Sequence, residues 1–504
     1  MIPRPRAGRA ERVPRLEWPL HVVRRVVLAA AAAVVLVAAF WLGAGWLQER
    51  QARCGDGVVE QGPDDECVGV TDGSYVFAPH LDAVSKRIEE ENSRVLANAD
   101  KEPYVSVAYF TSFTTTAEDS NSAEGVRHEL QGAYLAQYRH NQGDLAATPK
   151  IRLLIANPGS RSARWKHTVD ELIARKDGPD RLVAVAGLGP STKENLAAIQ
   201  RLSENGIAMV GATMTATNIQ NINGFVRIAP TNEDEAYAAA GYLKRRGVAT
   251  AVVLQDVAEG NLYASTLGTA FTKAFQEGDK HRLVSERMTY DSSVSSAWQN
   301  ELRYIPGQLC QQRPQLVYFA GRGRHLTHFL DALSNRSCTD QQFTVFAGDD
   351  TTNLSAEQLA HAAETGIEVL YTGLSHPDMY RSAPQAVSAP SAKNFQPGGL
   401  LDQWFPHDPR ADGGALMGHD AVLTAAHGIQ MAARWQGQVA GDAVARMFHQ
   451  MDGTQQVAGA SGFISFQNNG NPRNKAVPIL RLDGKGQVEF VEVSAAEGKP
   501  PQEQ

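Results

Sequence analysis

The feature that most constrains this chain is the stretch Leu182–Asn218, LVAVAGLGPSTKENLAAIQRLSENGIAMVGATMTATN. Leu182–Ala186 is an unbroken apolar run of the kind that fills a strand buried on both faces. Gly187-Leu188-Gly189-Pro190 interrupts it, and Ser191-Thr192 stand where a helix would begin. Leu196, Ala197, Ile199 and Leu202 recur at helical spacing until Asn205-Gly206, a stop signal. A second apolar strand, Ile207–Val210, then empties into Gly211, Thr213, Thr215 and Thr217. Two adjacent parallel strands thus end in hydroxyl- and amide-rich loops at one sheet edge, where open α/β sheets bind ligands. Such loops suit a small anionic group, most simply a carboxylate, held by N–H groups and hydroxyls.

The same alternation runs through most of the 504 residues. Val105–Phe110 and Ile151–Ala156 read as strands, with helices over Gly125–Asn141 and Ala163–Ala174. After the extended piece Phe225–Pro230 a second series begins, with strands at Val248–Leu254, Leu283–Tyr290, Leu316–Phe319, Phe343–Ala347 and Ile367–Tyr371. Helices between them fall around Tyr263–Phe275, Trp298–Cys310 and Leu326–Leu333. Strands separated by helical stretches of this length predict parallel sheets with right-handed crossovers, and two successive series predict two lobes of similar build. Pro377–Gly414 reads as an irregular covering loop, followed by helices at Asp420–Trp435 and Asp442–Met451. The end, with Val477–Leu482 and Val488–Val493 around tight turns, reads as antiparallel β structure.

The N-terminus has a different character. Seven arginines crowd the first 25 positions, and Val26–Leu47 follows without a charge. At ~1.5 Å per residue that run is long enough for the ~30 Å hydrocarbon core of a bilayer. The flanking positive charge puts residues 1–25 in the cytoplasm and the main domain outside. The run exceeds the usual apolar core of a signal peptide and no small-residue site precedes Cys54, which favours an uncleaved single-pass anchor over a cleaved leader. Four cysteines in an exported chain suggest two disulfides, Cys54–Cys67 and Cys310–Cys338; no CxxC or ligand-spaced histidine supports a metal instead. The net charge of −7 argues against nucleic acid as a partner. Gly187-x-Gly189 lacks the third glycine and the acidic residue of a dinucleotide site, and no GxSxG, HExxH or P-loop appears. No catalytic residue, cofactor or metal is therefore expected. His325 and His328 read as an ordinary exposed helix face.

The order and spacing of four segments resemble the type I periplasmic-binding fold, in its leucine/isoleucine/valine-binding branch of ABC-transporter solute receptors. They are Leu182 to Gly189-Pro190-Ser191-Thr192, Gly206–Val210 with its threonine loop, Phe225–Pro230, and Gly462-Phe463-Ile464-Ser465-Phe466-Gln467. The resemblance covers about Tyr104 to Val493. It implies an α/β protein of two lobes, each a parallel sheet flanked by helices, preceded here by one transmembrane helix. The implied division is a tail over 1–25, an anchor over 26–47, and a stalk over 48–102 with a disulfide loop and a helix. Lobe one then takes 103–230 and 374–455, lobe two takes 231–373 and 456–494, and 495–504 is a disordered tail.

The resemblance also implies a ligand, an amino acid or similar small zwitterion or carboxylate, between the lobes. Ser191, Thr192, Thr213 and Thr215 fall where hydroxyls and N–H groups would hold its carboxylate. Asp350 falls where an acid would pair with its ammonium, a charge-assisted contact at each end. Tyr263, or Asn261, stands in for a displaced aromatic, and Arg322 occupies a position where an aromatic often sits. A free arginine there would favour an anionic or polar side chain. Each residue has a plainer reading: Ser191 as a helix N-cap, the threonines as turn residues, Asp349-Asp350 as a loop pair or helix start. The expected function is extracytoplasmic solute binding for an ABC permease, with an orphan sensor or scaffold on the same fold as the alternative.

Overall fold

The computed structural model describes residues 24–25, 27–32, 34–35, 53–354, 362, 364–436, 439–483 and 487–494. The expected disordered tail and most of the expected cytoplasmic tail and anchor lie outside them. Residues 24–25, 27–32 and 34–35 are helical, and among the described residues no helix is long and apolar enough to cross a membrane. The chain forms two compact units, Met1–Cys54 and Gly55–Gln504. The second unit carries two large sheets.

In the first sheet, from Val58 on, the spatial order is Val58–Gln61, Glu66–Thr71, Lys150–Asn157, Tyr104–Phe110, Leu182–Gly187, Ala208–Gly211 and Phe225–Arg227. The last five strands pair in parallel, as the apolar runs require. Tyr104–Phe110 and Leu182–Gly187 are buried at every position, since helices cover both faces. The first two strands lie in the region read as a stalk over 48–102. They form a hairpin whose second strand pairs antiparallel with Lys150–Asn157, so 58–71 extends the sheet.

The second sheet runs Arg282–Leu283, Thr250–Asp256, Leu316–Ala320, Phe343–Ala347, Ile367–Thr372, Val477–Leu482, Val488–Ser494. It is parallel up to Ile367–Thr372, and the two C-terminal strands close it antiparallel. The strand expected over Leu283–Tyr290 is two short pieces, Arg282–Leu283 and Met288–Tyr290, both parallel to Thr250–Asp256. The polar Ser285-Glu286-Arg287 between them stays outside the ladder. Two apolar clusters, one on each face, hold this sheet to its helices.

Helix Ala123–Asn141 covers the first sheet, and Gly414–Gln436 crosses it at very close range. A Cβ on Gly132 would collide with the carbonyl of Ala415, and one on Gly418 with the carbonyl of Glu129. Between the lobes, Pro377–Gly414 is not irregular throughout. It contains short helical turns at Met379–Ser382, Pro384–Ala386, Ala389–Ala392, Lys393–Phe395 and Leu400–Trp404. Two of these carry proline in the first turn, where its missing N–H costs nothing.

Cys310 and Cys338 are joined, tying helix Trp298–Gln312 to the segment after helix Gly323–Ser334 across a Cα–Cα distance of 5.7 Å. Cys54 and Cys67 are also disulfide-bonded, and no cysteine is free.

Candidate functional site

The carboxyl ends of both parallel sheets meet in a cleft, and loops rather than strands supply its polar groups. On the first-lobe side, strand Leu182–Gly187 ends in three left-handed residues, Gly187, Leu188 and Gly189. They turn the chain so that Thr192 caps helix Lys193–Glu204, its side chain accepting from Asn195 N–H. Ser191 is therefore not the cap. Its hydroxyl, 1% exposed, accepts from the N–H groups of Thr215 and Ala216, each at 3.0 Å. The fully buried Arg227 grips the same threonine loop from behind. Its Nη1 donates to the carbonyls of Met214 (3.0 Å) and Ala216 (2.9 Å). A loop held at both sides in this way presents Thr213 to the cleft, where its Oγ1 is buried without a hydrogen-bond partner.

On the second-lobe side, Tyr263 is buried at the start of helix Leu262–Phe275, capped by Asn261. Of the two residues expected to replace the displaced aromatic, Tyr263 lines the inner part of the cleft and Asn261 the outer part. The Arg322 guanidinium lies 4.8 Å from its ring centroid, in cation–π range. That guanidinium also sits 3.4 Å from Asp350 Oδ1 and donates to the Ser191 carbonyl across the cleft at 2.8 Å. Arg322 is thus buried and already paired, which corrects the expectation of a free cation selecting an anionic side chain. Asp350 is equally occupied: it accepts from Gly323 N–H (2.6 Å) and, across the cleft, from the Ser120 hydroxyl (2.7 Å).

Between these walls lies a small cavity of ≈ 30 Å³. Ser191, Thr213, Thr215, Tyr263, Arg322 and Asp350 all line it. Thr192 does not; it lines a wider outer cavity of ≈ 470 Å³ toward solvent, with which the inner one shares Asn121, Pro190 and Arg322.

The inner wall also includes three acids outside the expected set, Glu129, Asp349 and Asp412. Burial, and then the neighbouring Asp350, push Asp349 up to about 7. Behind it, Glu235 is raised well above the carboxylate range by burial and by Asp349, while the Thr372 hydroxyl donates to it at 2.6 Å. Burial likewise lifts Glu129 to about 7 although Tyr109 OH donates to it at 2.6 Å. Asp412 is matched differently. His128 bonds Asp412 at 2.5 Å and Asp408 at 2.9 Å through its two ring nitrogens. Burial alone would lower His128, but Asp412 and Asp408 raise it to about 9. Glu129 was detectable in principle, as an acid beside Val126, Leu130 and Ala133 on the apolar helix face. His325, expected on an exposed face, is buried against Tyr290, whose hydroxyl lies 3.0 Å from Nδ1.

The model of the receptor family ligand binding region matches residues 128–485. Among solved structures, a leucine binding protein from Thermotoga maritima is 20% identical, with a TM-score of 0.59 over 77% of this chain and 98% of its own. A branched-chain amino acid transporter substrate binding protein from Streptococcus pneumoniae, in complex with isoleucine, is 15% identical (TM-score 0.57, covering 78% and 99%). A solute binding protein of an ABC transporter from Rhodopseudomonas palustris HaA2, in complex with p-hydroxybenzoic acid, is 16% identical (TM-score 0.58, covering 78% and 97%). No curated protein sequence matches the chain. Identities this low speak to the fold alone, whereas the family match spans most of the chain. The chain belongs to the family of the receptor ligand-binding region, and its fold is the type I periplasmic-binding fold.

Proposed function

We propose that the chain is a membrane-anchored extracytoplasmic receptor that closes its two lobes around an amino acid or a similar small carboxylate-bearing solute, for delivery to an ABC permease. The observation that carries this reading is the inner cavity. It lies where two parallel sheets present their carboxyl ends to each other, and its lining combines hydroxyl and N–H donors with carboxyls. The unpartnered Thr213 Oγ1 and the backbone of the Ser191 and threonine loops serve the ligand carboxylate, and the second-lobe acids serve its ammonium. Opening follows from rotation about the segments that cross between lobes near Pro230 and Gly373.

Calorimetric titration of the full chain with an amino-acid panel tests the binding. Absence of heat with every member, from a chain shown to be folded, rejects it. Truncation at Glu102 is unsuitable because it removes two strands of the first sheet. The anchor is tested separately by fractionation: recovery of a shorter, soluble form refutes it.

A second reading, an orphan sensor or scaffold, draws on the cleft being bridged by its own side chains. A permease encoded beside the gene favours transport.

A further inference from the structure

We propose that the solute taken by this cleft carries a net positive charge, as an amine or guanidine in addition to any carboxylate. The inference rests on the solute-receptor reading above and names its ligand class.

Charge is unbalanced over the inner cavity. Its wall carries four carboxyls, Glu129, Asp349, Asp350 and Asp412, against one cation, Arg322. Arg322 is committed to Asp350, whose oxygens also take Gly323 N–H and the Ser120 hydroxyl. Asp412 is committed to His128 and to the N–H of Gly414 (2.9 Å). Two carboxyls face the cavity with no cation of their own.

The first is Asp349, 7% exposed, whose Oδ1 has no hydrogen-bond partner. Its charged or titratable surroundings are Asp350, Arg322, Glu235 and Tyr263, so like charges outnumber the single arginine. The second is Glu129, 4% exposed, which receives only the Tyr109 hydroxyl and has Asp412 as its other charged neighbour. Burying a carboxylate without a cation is costly, and the group responds by holding a proton. That is the state in which burial leaves both acids near neutral pH. An entering ammonium or guanidinium reverses it by supplying the missing counter-charge in a site already shielded from water. An anionic solute brings no counter-charge to either acid.

The test uses solutes of near-equal shape that differ in charge. The full chain is titrated with L-arginine against L-citrulline, L-lysine against L-norleucine, and with L-glutamate, agmatine and putrescine. The expected result is that at least one cationic solute binds tenfold or more tightly than its neutral counterpart, that glutamate gives no heat, and that protons are released on binding near pH 7. Asp349→Asn and Glu129→Gln should each reduce the charged-to-neutral ratio by about tenfold. Thr213→Val, which removes a donor but no charge, should weaken both members of a pair and leave the ratio intact. Should either acid variant fail to fold, the wild-type ratio and the proton count still decide. Citrulline or norleucine binding as tightly as its charged partner, or glutamate binding, overturns the cationic class and leaves solute binding standing. No binding by any member, charged or neutral, overturns both.

Discussion

At the scale of single residues, the cleft is assembled by side chains that never need to touch a ligand. Ser191 shows this most directly, because one hydroxyl satisfies two backbone N–H groups of the opposite loop. Ser191→Ala leaves both unpaired, at a cost of about 1–3 kcal/mol each. Urea unfolding should register the loss, and ligand affinity should fall with it. Arg227→Met should act similarly through the carbonyls of Met214 and Ala216, again at about 1–3 kcal/mol per orphaned group. His128 supplies a pH signature. Its folded value, about 9, lies above the usual 6.5, so the folded state favours the imidazolium. The corresponding stabilisation is complete below about pH 6.5, is lost as pH rises through 9, and amounts to ~3 kcal/mol at most. Unfolding free energies measured from pH 6 to pH 9.5 should decline over that window, and His128→Gln should flatten the decline.

At the scale of elements, packing between helices Ala123–Asn141 and Gly414–Gln436 fixes where Glu129 stands. Their contact is close because Gly132 and Gly418 lack side chains, so Gly418→Ala must push the backbones apart. A loss of about 1–3 kcal/mol is expected from such overpacking, visible as a lowered melting temperature. The element level is also where the sequence was most readable. Buried parallel strands announce themselves as apolar runs, and capped helices begin at Thr192 and at Thr231, where a capping box with Asp234 forms. What stayed hidden depends on long-range partners. Nothing local in Glu66–Thr71 says that it will pair with Lys150–Asn157 some eighty residues later. The site divides in the same way. Ser191, Thr213, Thr215, Tyr263, Arg322 and Asp350 could be located through the family resemblance, and all line the inner cavity. Their bonding could not, since the pairing of Arg322 with Asp350 and the unpartnered Asp349 Oδ1 depend on residues far apart in the chain.

At the scale of the whole molecule, side chains of the two lobes meet across the cleft. Ser120 donates to Asp350, Arg322 to the Ser191 carbonyl, Ser122 N–H to Asn353, and Arg324 pairs with Glu118 at 3.0 Å. The last is exposed and contributes little. Loss of the buried ones should matter more, so Ser120→Ala combined with Asp350→Asn should favour an open arrangement. Small-angle scattering should then show a larger radius of gyration for the ligand-free variant than for the ligand-free wild type; an unchanged radius would show that these bonds do not set closure.

The hairpin at 58–71 gives this motion a fixed frame. Because its second strand is hydrogen-bonded into the first sheet, the chain arrives from its N-terminal side already part of lobe one. Any mooring upstream therefore acts on lobe one as a stator, and in the proposed function lobe two is the rotor. A protein that senses occupancy has most to gain by touching the rotor. One that needs only a landing place can rest on the stator.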